Sequence, residues 1–189
     1  MECQKIINAR QYLCGFEKIL WEMGNKMLCT EMTDNITINF IQCMILHHQG
    51  AICMCENLLK YTEYKHLQDI ATNIIRTQKE EIKQMEGIAR TTRGFCNSQN
   101  EVICYIEKYL EITRNMLCKM KNSPKCININ LNFIDEMIPH HNGAIKMSEN
   151  LLKYCIDPRL KCLAELIIRE QSKGVSELEK IKRDLQNNC

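Results

Sequence analysis

Three features of the sequence predict an all-α fold, a helical bundle of two three-helix repeats packed about a pseudo-two-fold axis. Glycine and proline are scarce, at 7 and 3 residues, whereas Ile, Leu, Met, Glu and Lys are plentiful; a β-rich chain with many tight turns needs the opposite balance. Apolar residues recur at helical spacing through long segments. Sliding residues 39–88 onto 132–181 without a gap gives 25 identities in 50 positions, a tandem duplication at an offset of 93. The same offset pairs Tyr12 with Tyr105, Ile19 with Ile112, Met23 with Met116 and Met27 with Met120, so the unit covers nearly the whole chain.

The first helix of each unit is expected at about Ile6–Cys29 and Glu101–Lys121, with Tyr12, Phe16, Ile19, Met23 and Met27 as its apolar stripe. The second is expected at about Asp34–Tyr61 and Ile129–Tyr154. Pro139 falls inside the latter, where it removes a backbone donor and should kink the helix or free a carbonyl one turn earlier; Leu46 stands at that position in repeat one. The third is expected at about Lys65–Arg90 and Pro158–Asn187, the latter opened by an N-cap residue, Asp157, and a proline at the first helical position. A short polar junction joins the repeats, 1–93 and 94–189, and predicts that they pack as one globular unit.

A net charge of +2, with both signs interspersed, leaves no strong field for nucleic acid or a membrane surface. No run approaches the ~18 consecutive apolar residues of a membrane span, and Met1–Arg10 lacks the apolar stretch of a signal peptide. A cytoplasmic location is therefore expected. Cysteine is the anomaly: 13 residues, an odd number, without an export signal point to reduced thiols rather than a disulfide framework. A single free Cys usually packs as a small hydrophobe, but 13 together with 11 Met make a chain rich in soft donors.

Four of the five histidines lie in two copies of one motif, Met44-Ile45-Leu46-His47-His48-Gln49-Gly50-Ala51-Ile52-Cys53-Met54 and Met137-Ile138-Pro139-His140-His141-Asn142-Gly143-Ala144-Ile145-Lys146-Met147. At about 100° per residue, one half of the second helix holds Cys43, Met44, His47, His48, Ala51, Met54, Cys55 and Leu58. The opposite half, Gln49, Gly50, Cys53, Glu56, Asn57 and Lys60, reads as a solvent face. The second copy turns Met137, His140, His141, Ala144, Met147 and Leu151 inward in the same way, and the third helices place Gln78 and Gln171 among their apolar residues.

A buried imidazole or amide without partners costs about 1–3 kcal/mol, so each must bind something. One reading is a metal-free network in which the four histidines bond to each other, to Gln78 and Gln171, and to freed backbone carbonyls, within a scaffold or partner-binding module. The other is a metal site framed by Met44, Met54, Met137 and Met147, with Cys43 and Cys55 added in repeat one. Met44 and His48, like Cys43 and His47, are i,i+4 neighbours that can present two donors to one ion. Thioether, thiolate and imidazole suit Cu(I), with silver or zinc as the other ions considered, although zinc prefers Cys and His without Met. A ferritin-type di-iron centre needs two Glu-x-x-His units, and only Glu63-Tyr64-Lys65-His66 fits, at a helix junction. There is no phosphate loop, nucleophile elbow or Cys-x-x-Cys to argue for catalysis.

The Met-Ile-Pro-His-His run, the following Ala144-Ile145-Lys146-Met147, and Leu67, Ala71, Ile74, Gln78, Glu81-Ile82 and Met85 in repeat one resemble domain-of-unknown-function family 305, small helical proteins of the ferritin-like type. The resemblance implies a helical bundle and, for some members, copper or silver binding through Met and His in a protective role. Repeat two departs from the pattern with Gly174 and Leu178 where Glu81 and Met85 stand, and the cysteine load departs from it throughout. The expectation is an intracellular Cu(I) protein for buffering, storage or resistance. Its partners are a metal ion and, in an oligomer, further copies of the chain, and Gln78, Gln171, Glu81 and Met85 surround the ligands.

Overall fold

Six helices form among the residues described, 2–92 and 97–187 of a computed structural model: α1 (Glu2–Leu28), α2 (Ile36–Leu59), α3 (Lys65–Thr91), α4 (Gln99–Lys121), α5 (Ile129–Leu151) and α6 (Pro158–Asn187). The expected boundary between repeats, at residues 93 and 94, lies outside the described residues. No described helix is long and apolar enough to cross a membrane.

Asparagine side chains start both central helices. Asn35 accepts a bond from the Ile38 N–H at the head of α2, and its counterpart Asn128 accepts from Asn130 and Leu131 at the head of α5. One turn further on, Asn39 closes the preceding loop by accepting from the Thr33 N–H at 2.7 Å and donating to the Thr33 carbonyl at 2.8 Å. Asn132 makes the same pair of bonds to Cys126, at 2.9 and 2.8 Å. Ser98 and Glu101 form a capping box on α4. Asp157 caps α6 by accepting from the Arg159 N–H and guanidinium, bonds that hold its carboxyl below the usual carboxylate range.

These caps shorten the central helices relative to the expected spans: α2 begins after Asn35 instead of at Asp34, and α5 ends at Leu151, where the Leu152 N–H turns back to Ser148 and Asn150. α5 continues through Pro139 without a break, and the Asp135 carbonyl loses its helical donor because proline has none.

α2 and α5 pack on each other in the middle. α1 and α3 cover α2, α4 and α6 cover α5, and the α1–α4 and α3–α6 contacts close the sides. This arrangement overturns part of the expected solvent face, because Gly50, Asn57, Gly143 and Asn150 are buried. The cause is the first helix of each unit. Asn57 donates to the Tyr12 carbonyl at 2.9 Å and Asn150 to the Tyr105 carbonyl at 3.2 Å, while a Cβ on Gly50 or Gly143 would lie 2.2 or 2.3 Å from the sulfur of Met23 or Met116. The glycines let the long thioether side chains lie directly on the central helices. Gly50→Ala should therefore lower stability by about 1–3 kcal/mol by overpacking, despite the better helix propensity of alanine. In a Met23→Ala background, urea titration should show that loss shrinking, since the two residues share one space.

Candidate metal centre

Because α2 and α5 cross through equivalent segments, their His-His pairs meet at the centre of the bundle. His47 and His140 lie with ring centroids 3.7 Å apart and planes tilted by 35°. His48 flanks His47 at 6.1 Å and His141 flanks His140 at 6.2 Å, so the four imidazoles gather into one cluster. All four are at most 2% exposed.

The partners of these rings fix where their free lone pairs lie. The Nε2–H of His140 donates to the His47 carbonyl at 3.2 Å, and since a carbonyl only accepts, Nδ1 is the unprotonated nitrogen. His48 Nε2 lies 2.8 Å from Glu81 Oε2, a partnership that in the neutral ring selects an Nε2–H donor and leaves Nδ1 as a lone pair. Neither Nδ1 has a hydrogen-bond partner; the same holds for His141 Nδ1, both nitrogens of His47, both amide atoms of Gln78 and the amide oxygen of Gln171. Burial, reinforced by the neighbouring imidazoles, depresses the pKa of His47 and His140 well below the ordinary histidine value and that of His141 to about 3. His47, His140 and His141 therefore stay neutral at physiological pH, the form in which imidazole binds metals.

Met44, Met54, Met137 and Met147 are all buried in the same core, as is Met85. Gln78 and Gln171 lie on α3 and α6 and line the cleft whose wall includes His141 and Glu81. The cysteines sit elsewhere. Cys43 lies beside the Tyr109 hydroxyl, which donates to the Met27 carbonyl, and beside Thr30, and burial pushes its thiol up to about 11; Cys55 lies near the Tyr12 phenol and is pushed higher still by burial. At neutral pH both remain thiols, so an ion would have to displace a proton from either. Among the described residues, no three of His, Cys, Asp and Glu converge as a ready metal cage.

Two site features were not singled out from the sequence. Glu136 occupies the position of Cys43 and is fully buried, accepting from the Tyr12 hydroxyl at 2.5 Å and from Lys125 at 2.7 Å; burial pushes its pKa up to about 7. The 93-residue offset marks it as a change from thiol to carboxyl within an otherwise shared face. Gly174, noted only as a departure from pattern, lies against His141: a Cβ there would be 2.9 Å from Cδ2 and 3.0 Å from Nε2.

The fold is similar to that of CopM. The silver-bound form of CopM, obtained by soaking, matches with a TM-score of 0.56 at 29% identity, covering 82% of this chain and 98% of that one. Its Cu(II)-bound form matches with a TM-score of 0.58 at 28% identity, covering 82% and 99%. An uncharacterized protein, L153, of Acanthamoeba polyphaga mimivirus is 42% identical over 57 residues, 29% of this chain and only 38% of the viral protein. The family described as "Domain of unknown function (DUF305)" matches residues 22–89 and 115–187, one block in each three-helix unit, and the chain belongs to that family.

Proposed function

We propose that this chain binds a soft metal ion, Cu(I) foremost, between α2 and α5, and serves the cytoplasm as a buffer, store or resistance protein for that ion. The observation that carries the reading is the set of buried lone pairs without donors, Nδ1 of His48 and His140 above all. A metal-free network would have satisfied these atoms, and each orphan costs about 1–3 kcal/mol. A Lewis acid is the partner that lone pairs of this kind accept. Thioethers in the same buried core, Met44, Met54, Met137 and Met147, favour a soft, weakly hydrated ion over a hard one. The silver- and Cu(II)-bound forms of CopM support a copper-type metal as the ligand. The iron reading has less behind it, because a ferritin-type di-iron centre takes two Glu-x-x-His units and the sequence holds one, Glu63-Tyr64-Lys65-His66.

His47, His48, His140 and His141 are the proposed ligands, completed by Met44, Met54, Met137 and Met147, with Cys43 and Cys55 as reserve donors. Glu81 orients His48 as carboxylate partners of metal-bound histidines do.

The test is competition against a chromophoric Cu(I) chelator under anaerobic conditions, after alkylating the exposed thiols, which would otherwise bind the ion themselves. The parent protein should retain Cu(I), and the His47/His48/His140/His141→Ala variant should bind at least about a hundredfold more weakly, a loss of ~2.7 kcal/mol. Retention unchanged in that variant, or no retention by the parent, sinks the proposal.

A further inference from the structure

We propose that metal reaches the buried imidazoles through the cleft between α3 and α6, and that His141 is the first imidazole it meets there. This rests on the metal-binding reading above and concerns the route to that site.

The two repeats differ at one position that matters for access. In repeat one, Glu81 closes over His48 with a 2.8 Å bond. One offset later stands Gly174, with no side chain; even a Cβ there would press on His141 at 2.9–3.0 Å. The His141 edge therefore reaches the cleft past bare helix backbone, while the corresponding edge of His48 is covered. The cleft holds about 320 Å³ and includes His141 in its wall. The grooves between α4 and α5 and between α1 and α2 are lined by other residues and touch none of the four imidazoles.

The chemistry of the cleft suits a cation. Asp69, Glu170 and Glu177 line its mouth with His66 and one lysine, Lys173; Asp69 is paired with Lys65 and Glu177 lies 3.8 Å from His66, which leaves a carboxylate excess led by Glu170 and Glu177 to draw positive charge inward. Below these carboxylates lie Gln78 and Gln171, at 1% and 5% exposure, with amide oxygens that have no partner. Neutral oxygens at that depth can take over an ion as it leaves its hydration shell, before the nitrogen and sulfur donors bind it. By contrast, the α4/α5 groove sets Lys108, Lys119, Lys146 and Lys153 against Glu111 and Glu149, a net positive lining. That groove repels a cation.

The experiment is stopped-flow uptake of Ag(I) by protein with its exposed thiols alkylated, paired with an equilibrium measurement of Ag(I) affinity. Gly174→Glu places in repeat two the carboxylate that covers His48 in repeat one and should slow uptake at least tenfold, with Ag(I) still bound at equilibrium. Since that substitution also crowds His141, a second variant keeps the fold out of question: Glu170→Lys/Glu177→Lys alters only exposed residues at the cleft mouth. It should slow uptake several-fold at low salt, the difference fading at high salt. Glu111→Lys/Glu149→Lys, an equal charge reversal in the α4/α5 groove, should leave the rate unchanged. Uptake at the parent rate in Gly174→Glu, or equal slowing by both charge reversals, overturns the portal while leaving the metal site standing. Failure of the parent to bind Ag(I) at all overturns both.

Discussion

Saturating Cu(I) or Ag(I) should raise the melting temperature of the reduced protein by about 5–11 °C. The arithmetic is that of a ligand that binds only the folded state: at a free concentration a hundred times Kd it contributes ~2.7 kcal/mol, and each kcal/mol shifts the midpoint of a chain of this length by about 2–4 °C. The folded state is the right partner because the proposed donors come from opposite repeats, His47 and His48 from α2 and His140 and His141 from α5, and meet only when those helices pack together. An unfolded chain offers scattered Met and Cys instead. Differential scanning fluorimetry of thiol-alkylated protein checks this, with the four-histidine alanine variant as the comparison, in which the shift should vanish. A shift of the same size in that variant would move the site to the remaining thiols and thioethers.

Much of this arrangement was legible in the sequence because the duplication is so direct. The offset of 93 paired the two His-His motifs, and helical periodicity turned both pairs inward, where the structure has them fully or almost fully buried. Periodicity failed where a neighbouring helix covers a second face. Gly50 and Asn57 read as solvent-facing because a wheel knows only one apolar direction, yet α1 lies against that flank and uses the glycine as a seat for Met23. Chemistry across helices was likewise out of reach. Cys43 and His47 are i,i+4 neighbours, but the Cys43 side chain lies beside Tyr109 and Thr30, and no helical wheel contains α4. The stacking of His47 on His140 depends on how closely α2 and α5 approach, which spacing within either helix does not encode. Glu81 and Gly174 were visible as a difference between repeats, and only the positions of His48 and His141 give that difference a consequence.

The metal-free protein should lose stability as pH falls below about 6.5, the ordinary histidine value from which these rings depart. His47, His140 and His141 have folded-state pKa values below their unfolded one, so in this range the unfolded chain binds more protons than the folded chain. Their stability is complete above 6.5 and declines as pH falls, for His141 down to about 3. At pH 5 the His141 share is about 2 kcal/mol. Glu136 works in the opposite direction: its folded value of about 7 lies above the ordinary 4.5, so the penalty it carries at neutral pH is relieved as it protonates, returning about 2–3 kcal/mol by pH 5. With these two of similar size and opposite sign, His47 and His140, both displaced well downward, decide the balance toward acid instability. Urea midpoints measured at pH 7.5, 6, 5 and 4 should fall steadily, and more steeply in Glu136→Gln, which lacks the offset. Midpoints that stay level or rise between pH 6.5 and 5 would mean that the imidazoles find proton-accepting partners after all. With Ag(I) bound, the descent should begin at lower pH, because each proton must then displace the ion from the lone pair it occupies.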